Sequence, residues 1–398
     1  MDLRERYDEA TKELDPPLAL VDLQAFDHNA GDMARRAAGK PIRIATKSIR
    51  CRFLIERVLK HPGYKSLMAY SLAEALWLHE LGLSTDILVA YPTVDRQALA
   101  RLAGDEQARQ HITIMIDEPA HLDLIDQARQ GQGQGQGQTI RVALDLDVSW
   151  RPARNVHIGT RRSPLHTPEQ AFDFAQTIAK HGGVTLTGVM GYEGQIAGLG
   201  DSPPGNPLKG QAIRFIQARS APELNERRAL AIERIRTVAD LEFVNGGGTG
   251  SLETTATDTS VTELAAGSGL IGPTLFDAYT KFRPKPALVY ALPVTRKPAP
   301  NIATLFGGGY LASGTGTKDR LPTPYLPRGL RLTGTEGAGE VQTPVRGTAA
   351  LNLKPGDRVW MRHAKAGELA ERFTTYYALD GTTLTPVPTY RGEGQCYG

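Results

Sequence analysis

Lys47 closes the apolar run Ile42-Arg43-Ile44-Ala45-Thr46. A primary amine at the end of a buried strand is partly desolvated. Desolvation and nearby cations at a barrel mouth would free it to attack a carbonyl carbon. Two small-residue turns lie far downstream. They are Asn245-Gly246-Gly247-Gly248-Thr249-Gly250-Ser251 and Ala266-Gly267-Ser268-Gly269. Consecutive glycines leave backbone N–H groups open to an anion, and the hydroxyls add donors, so the pair reads as a phosphate cup. Between lysine and turns stand Asp145-Leu146-Asp147, then Arg151, Arg154, Arg161 and Arg162, and then Gly191-Tyr192-Glu193-Gly194-Gln195. An arginine here could hydrogen-bond an oxygen anion on a planar ring, and Tyr192 could stack on that ring. Each feature also has a plain reading: a solvated lysine, two ordinary turns, rim salt bridges, a core aromatic.

What must position them is a repeated unit. Short runs rich in Val, Ile and Leu begin at Ile42, Ser66, Asp86, His111, Thr139, Thr185, Leu241 and Val261, with helix-like stretches between. Their weak alternation marks parallel strands covered on both faces. Ser71-Leu72-Ala73-Glu74 is a capping box with Gly82 as the stop, and Thr167-Pro168-Glu169-Gln170 repeats the device. Eight units predict an α/β fold, a closed (β/α)₈ barrel over residues 18–286, in preference to an open doubly wound sheet. Lys47, Tyr70, Tyr91, Asp117, Asp145, Tyr192 and Asn245 then sit at strand ends, the face where barrels carry chemistry.

The pattern changes after Tyr279. Pro and Gly become frequent, and Asp380-Gly381 between two β-like runs is a hairpin signal. Residues 287–398 read as a C-terminal β domain, and 1–17 as a segment packing on it. The Gly/Gln alternation of 130–138 is low-complexity and expected to form a surface loop. The Gly- and Pro-rich stretch 194–210 is either a lid or an ordinary loop.

The 398 residues carry a net charge of only +3, too slight to argue for nucleic acid or a membrane surface. No apolar run reaches the roughly 18 residues of a membrane span. Residues 1–14 lack the apolar segment of a signal peptide. Cys51 and Cys396, the two cysteines, make neither a disulfide framework nor a metal spacing. A cytoplasmic protein binding a small molecule is the expectation.

A strand-end lysine, an arginine, a tyrosine and two phosphate turns suit a phosphorylated aldehyde held as a Schiff base. Pyridoxal phosphate is the economical choice. The chain also resembles the alanine-racemase-type (fold-type III) pyridoxal-phosphate enzymes, most of all the D-threonine aldolase and D-serine dehydratase branch. The resemblance rests on Pro17-Leu18-Ala19-Leu20-Val21-Asp22-Leu23, Ala45-Thr46-Lys47, Gly159-Thr160-Arg161-Arg162-Ser163-Pro164, Gly191-Tyr192-Glu193-Gly194 and Gly246-Gly247-Gly248-Thr249. It implies that Lys47 bonds the cofactor and that Arg162, or Arg161, binds the ring oxygen. It implies that Gly247, Gly248, Thr249, Gly267 and Ser268 hold the phosphate, with Tyr192 beside the ring. A homodimer acting on an amino acid is implied as well.

The branch carries a metal site, a histidine followed two residues later by cysteine or aspartate. The corresponding stretch here is Arg362-His363-Ala364-Lys365-Ala366-Gly367-Glu368. A protonated lysine cannot ligate a cation. Either no divalent metal is bound, with Lys365 supplying its charge, or His363 pairs with another group such as Glu368. The resemblance thus implies a lyase that splits Cα–Cβ of a D-configured β-hydroxy-amino acid, with Lys47, His363 and Lys365 as catalytic candidates. Dehydration or racemisation on the same scaffold, and a non-catalytic carrier of the cofactor, are the alternatives.

Overall fold

The computed structural model describes residues 2–131 and 139–397. The chain forms two compact units. One, Met33–Lys47, Leu59–Gly267 and Tyr397–Gly398, holds a closed parallel barrel. The other, Met1–Asp32, Ser48–Val58 and Ser268–Cys396, holds a nine-stranded sheet.

The barrel strands are Ile42–Ala45, Tyr64–Ala69, Ile87–Val89, Ile112–Ile116, Ile140–Asp145, Val184–Gly191, Phe243–Gly246 and Glu263–Ala266. Each starts within two residues of the apolar run that signals it. The eighth pairs back on the first, Leu264 opposite Ile42 and Ala266 opposite Ile44, and that register closes the barrel. Met68, Leu88, Met115, Ala143, Met190, Phe243 and Ala265, one from each strand after the first, form one buried cluster. The interior is therefore filled, and chemistry is confined to the ends. Gly188 makes this filling possible: a Cβ there would fall 2.1 Å from the Phe243 ring.

Near the start of the first strand, Arg43 is buried against Phe243. It donates to Glu263 at 2.7 Å and to Asp86 at 2.8 Å. Removing Glu263 from its buried pair with Arg43 costs about 3–5 kcal/mol, because a charge is left unpaired. Two caps follow the sequence with one difference. The Thr167 box is complete. Ser71 accepts from the Glu74 N–H, but the Glu74 carboxylate reaches Tyr70 N–H at 2.7 Å, one residue before the expected partner.

In the sheet unit, Leu18–Asp22 is a fully buried strand, antiparallel to Leu288–Ala299 and parallel to Thr375–Asp380. This corrects the reading that began the barrel at residue 18 and the β domain at 287. A strand buried on both faces reads the same in either sheet, so its apolar run could not say which one it joins. Residues 268–286 go with the sheet unit too. Helix Leu3–Ala10 lays Tyr7 edge-on to Trp360, with ring centroids 5.3 Å apart. The Asp380-Gly381 hairpin forms, Asp380 opposite Thr383 with Gly381 at φ +60°.

Of the Gly/Gln stretch, residues 132–138 lie outside the described residues. The 194–210 segment is a short helix, Gly194–Ala197, a connection, and the start of the long helix Pro207–Ile235. Gln195 fixes it to the Val148 carbonyl at 2.8 Å, and Arg214 to the Asp201 carbonyl at 2.7 Å. Among the described residues no helix is long and apolar enough to cross a membrane, and both cysteines are free thiols.

Candidate active site

The first strand ends in a single tight turn, Thr46–Ser48, which turns Lys47 outward at the barrel end while its neighbours stay buried. Its ammonium donates to the phenol oxygen of Tyr91, just past the third strand, and lies 5.1 Å from that ring's centroid. The Arg162 guanidinium lies over the same ring at 5.5 Å and over Tyr192 at 5.3 Å. Burial alone would raise the Tyr91 phenol. The Lys47 charge and hydrogen bond, with Arg162, outweigh it and hold the phenol below its usual range. Burial raises the Tyr192 phenol, against the opposing pull of Arg162. The structure thus joins Lys47, Arg162 and Tyr192, three residues singled out in the sequence, through one that was noted only as a strand end.

Asp145 ends the fifth strand, buried. Burial, then the nearby Asp117, pushes its carboxyl up to about 7, against the attraction of Arg162. Asp147, two residues on, is held well below the carboxylate range. Hydrogen bonds from His166, Ser149 and Arg151 overcome its burial. The Asp147–Arg151 contact is one rim salt bridge of the kind the plain reading expected.

The loop after the seventh strand is built differently from an open cup. The Gly247 N–H donates to Glu193 Oε2 at 2.7 Å, and the Gly248 N–H to Ser251 Oγ at 3.2 Å. The Gly247 amide is therefore committed to a carboxylate, which corrects its reading as an open anion donor. Gly247 has φ +87°, the left-handed region where a side chain is strained. A Cβ on Gly246 would meet Arg228 at 2.9 Å, and one on Gly248 would meet Ala197 at 3.0 Å. Glu193 also accepts from Arg228 Nη1 at 2.6 Å, and Arg228 Nε donates to Asp258 at 2.9 Å. All three are buried. Two carboxylates on one guanidinium anchor the glycine loop from below. Thr249 is buried in the same loop, its carbonyl accepting from Arg36 at 2.7 Å. Gly267 follows the eighth strand. Ser268 belongs to the sheet unit, where its hydroxyl meets that of Ser48 at 3.0 Å.

In the sheet unit, His363 is 3% exposed and both ring nitrogens are sealed from solvent. Burial, with the adjacent Arg362 charge, pushes its imidazole down to about 3, so the ring is neutral. Lys365 is exposed. It donates to Ser313 Oγ at 2.6 Å, with Glu368 3.8 Å away. Glu368 accepts the Ser313 N–H at 2.9 Å. It is thus engaged with Ser313 and Lys365 rather than with His363. Among the described residues no three His, Cys, Asp or Glu side chains gather to hold a metal ion. This donor set does not compose a metal centre.

Sequence reasoning left Tyr91 and Asp145 unassigned, although both stood at strand ends. It missed the engagement of Glu193 altogether, because its partners, Arg228 and the Gly247 amide, lie on distant elements. It missed too the hairpin Trp150–Ala153 and Val156–Ile158, which carries two of the arginines.

Fold and site together define an eight-stranded α/β barrel with a lysine at its mouth, accompanied by a sheet unit built from both chain ends. The family model described as the alanine racemase N-terminal domain matches residues 21–235, and the chain belongs to that family. Solved structures share the fold at low identity. D-threonine aldolase from Filomicrobium marinum is 19% identical with a TM-score of 0.76, over 95% of this chain and 96% of that one. D-threo-3-hydroxyaspartate dehydratase from Delftia sp. HT23 is 19% identical with a TM-score of 0.71, over 96% and 98%. Alanine racemase from Clostridium difficile 630 is 14% identical with a TM-score of 0.62, over 95% and 99%. No curated protein matches the sequence.

Proposed function

We propose that this chain is a pyridoxal-phosphate-dependent lyase that cleaves Cα–Cβ of a D-configured β-hydroxy-amino acid. The observation that carries the reading is the Lys47 ammonium on the Tyr91 phenol, with Arg162 over that ring. A reactive amine, a phenol drawn toward ionisation and a fixed cation at a barrel mouth suit an anionic aromatic aldehyde. Lys47 would hold the aldehyde carbon, Arg162 and Tyr192 the ring, and Thr249 and Gly267 the phosphate. When bound, the cofactor supplies an electron-withdrawing ring that stabilises negative charge developing at the substrate Cα.

The chain's own residues move the protons. Tyr91 Oη and Lys47 Nζ share one hydrogen bond, so a proton taken by either can be passed to the other. A phenol held below its usual range is a better acceptor at neutral pH, as general base catalysis requires. In the cleavage, the β-hydroxyl gives up its proton, the Cα–Cβ bond breaks, and Cα is reprotonated. D-threonine would yield glycine and acetaldehyde. A homodimer is proposed with this reading, and sedimentation at twice the monomer mass would support it.

Dehydration is the second reading, supported by the fold shared with the dehydratase over 96% of the chain. The products separate the two. Cleavage gives an aldehyde and glycine, whereas dehydration gives a keto acid and ammonia. The first test is the visible spectrum of the purified protein with added pyridoxal phosphate, followed by product analysis. A protein that takes up no cofactor ends the proposal.

A further inference from the structure

Beside the Lys47 cluster the barrel unit has a second basic feature. A cavity of about 550 Å³ opens on the segments after the fourth and fifth strands. Four arginines are among its lining residues, Arg151, Arg154, Arg161 and Arg162, with two acidic residues, Glu118 and Asp147. Asp147 is already engaged by Arg151. Glu118 stands at the start of helix Pro119–Gln130. Among the described residues neither Arg154 nor Arg161 has an ion-pair or hydrogen-bond partner. Arg162 is shared: it lines this cavity and lies over the rings of Tyr91 and Tyr192. Arg162 thus connects the cavity to the Tyr91 ring, whose phenol oxygen accepts from Lys47.

Like charges crowded on one wall repel one another, and a fold has no stability reason to gather them without a counter-charge. A neutral side chain such as that of threonine would use none of them. A carboxylate can take a bidentate pair of hydrogen bonds from a guanidinium. The volume is of small-ligand size.

We infer that this cavity is the side-chain subsite, and that the substrate is a β-hydroxy-amino acid with a second carboxylate, held by Arg154 and Arg161. The inference rests on the proposed function in taking Lys47 as the reaction centre. It goes further by naming the substrate's charge. Arg162 stays with the ring at Lys47, so Arg161 is assigned here to substrate.

The test uses the cofactor-loaded protein with two readouts. Turnover of D-3-hydroxyaspartate is compared with that of D-threonine. Calorimetric titration with succinate, a dianion lacking the amine, is compared with butyrate. The dicarboxylate should be preferred in kcat/KM by about tenfold or more, the worth of one charged hydrogen-bonded pair. Succinate should bind more tightly than butyrate and weaken as salt is raised. Arg154→Ala should raise KM for hydroxyaspartate by about tenfold, leave D-threonine within about twofold, and abolish the succinate advantage. Arg154→Lys, which keeps the charge, should restore part of it. Equal turnover of both amino acids with no succinate binding would overturn the inference and leave the lyase reading intact. Arginine-dependent succinate binding without turnover of either amino acid would do the reverse.

Discussion

The Lys47 ammonium donates to the Tyr91 phenol oxygen, and the Tyr91 ring carries the Arg162 guanidinium on it. A single aromatic residue thus touches both the amine expected to bond a cofactor and the cation expected to hold its ring.

Tyr91→Phe separates position from proton transfer. Phe keeps the ring under Arg162 and removes only the hydroxyl. The variant should retain cofactor and fold, keep KM within about threefold, and lose about 10²–10⁴ in kcat, the usual worth of a positioned acid–base group. Its pH profile should also lose the limb that reports the phenol. An unchanged kcat would make the hydroxyl a structural contact.

Glu193→Gln tests the anchor of the glycine loop. The variant leaves Arg228 with Asp258 alone and replaces the charged acceptor of the Gly247 N–H. Breaking a buried ion pair costs about 3–5 kcal/mol. Urea unfolding should show a loss of that order, and cofactor affinity should fall with it. A variant as stable as the parent would mean that the network contributes nothing net.

The pH dependence of stability should carry the mark of Asp145, whose carboxyl is pushed up to about 7 mainly by burial. An unfolded aspartate titrates near 3.9, and between the two values the folded protein holds a proton that the unfolded chain has lost. This group's contribution is therefore full below about pH 4 and declines as pH rises through about 7. Asp145→Asn cannot ionise, so its stability should decline less over that window, by on the order of a few kcal/mol. Parallel curves for the two proteins would show Asp145 ionised throughout.

The barrel was legible because parallel strands buried on both faces leave long apolar runs, and their caps recur at fixed offsets. Lys47, Arg162 and Tyr192 were legible because barrel chemistry collects at strand ends. What escaped was whatever depends on partners distant in sequence. Leu18–Asp22 joins strands some 270 and 360 residues away, a choice that its own five residues cannot express. The Gly247 amide looked open until Glu193, 54 residues earlier, was found on it. Tyr91 differs from any other strand-end tyrosine only through its neighbours. His363 and Lys365, two residues apart in the chain, face opposite conditions, one sealed, the other exposed and bonded to Ser313.

The central claim is that Lys47 is the residue that bonds pyridoxal phosphate. Borohydride reduction of the cofactor-loaded protein, followed by proteolysis and mass mapping, tests it most directly. The account predicts one pyridoxyl group per chain, on the peptide containing Lys47, and none after Lys47→Ala. A pyridoxyl group on any other lysine, or none on the unmodified protein, would contradict it.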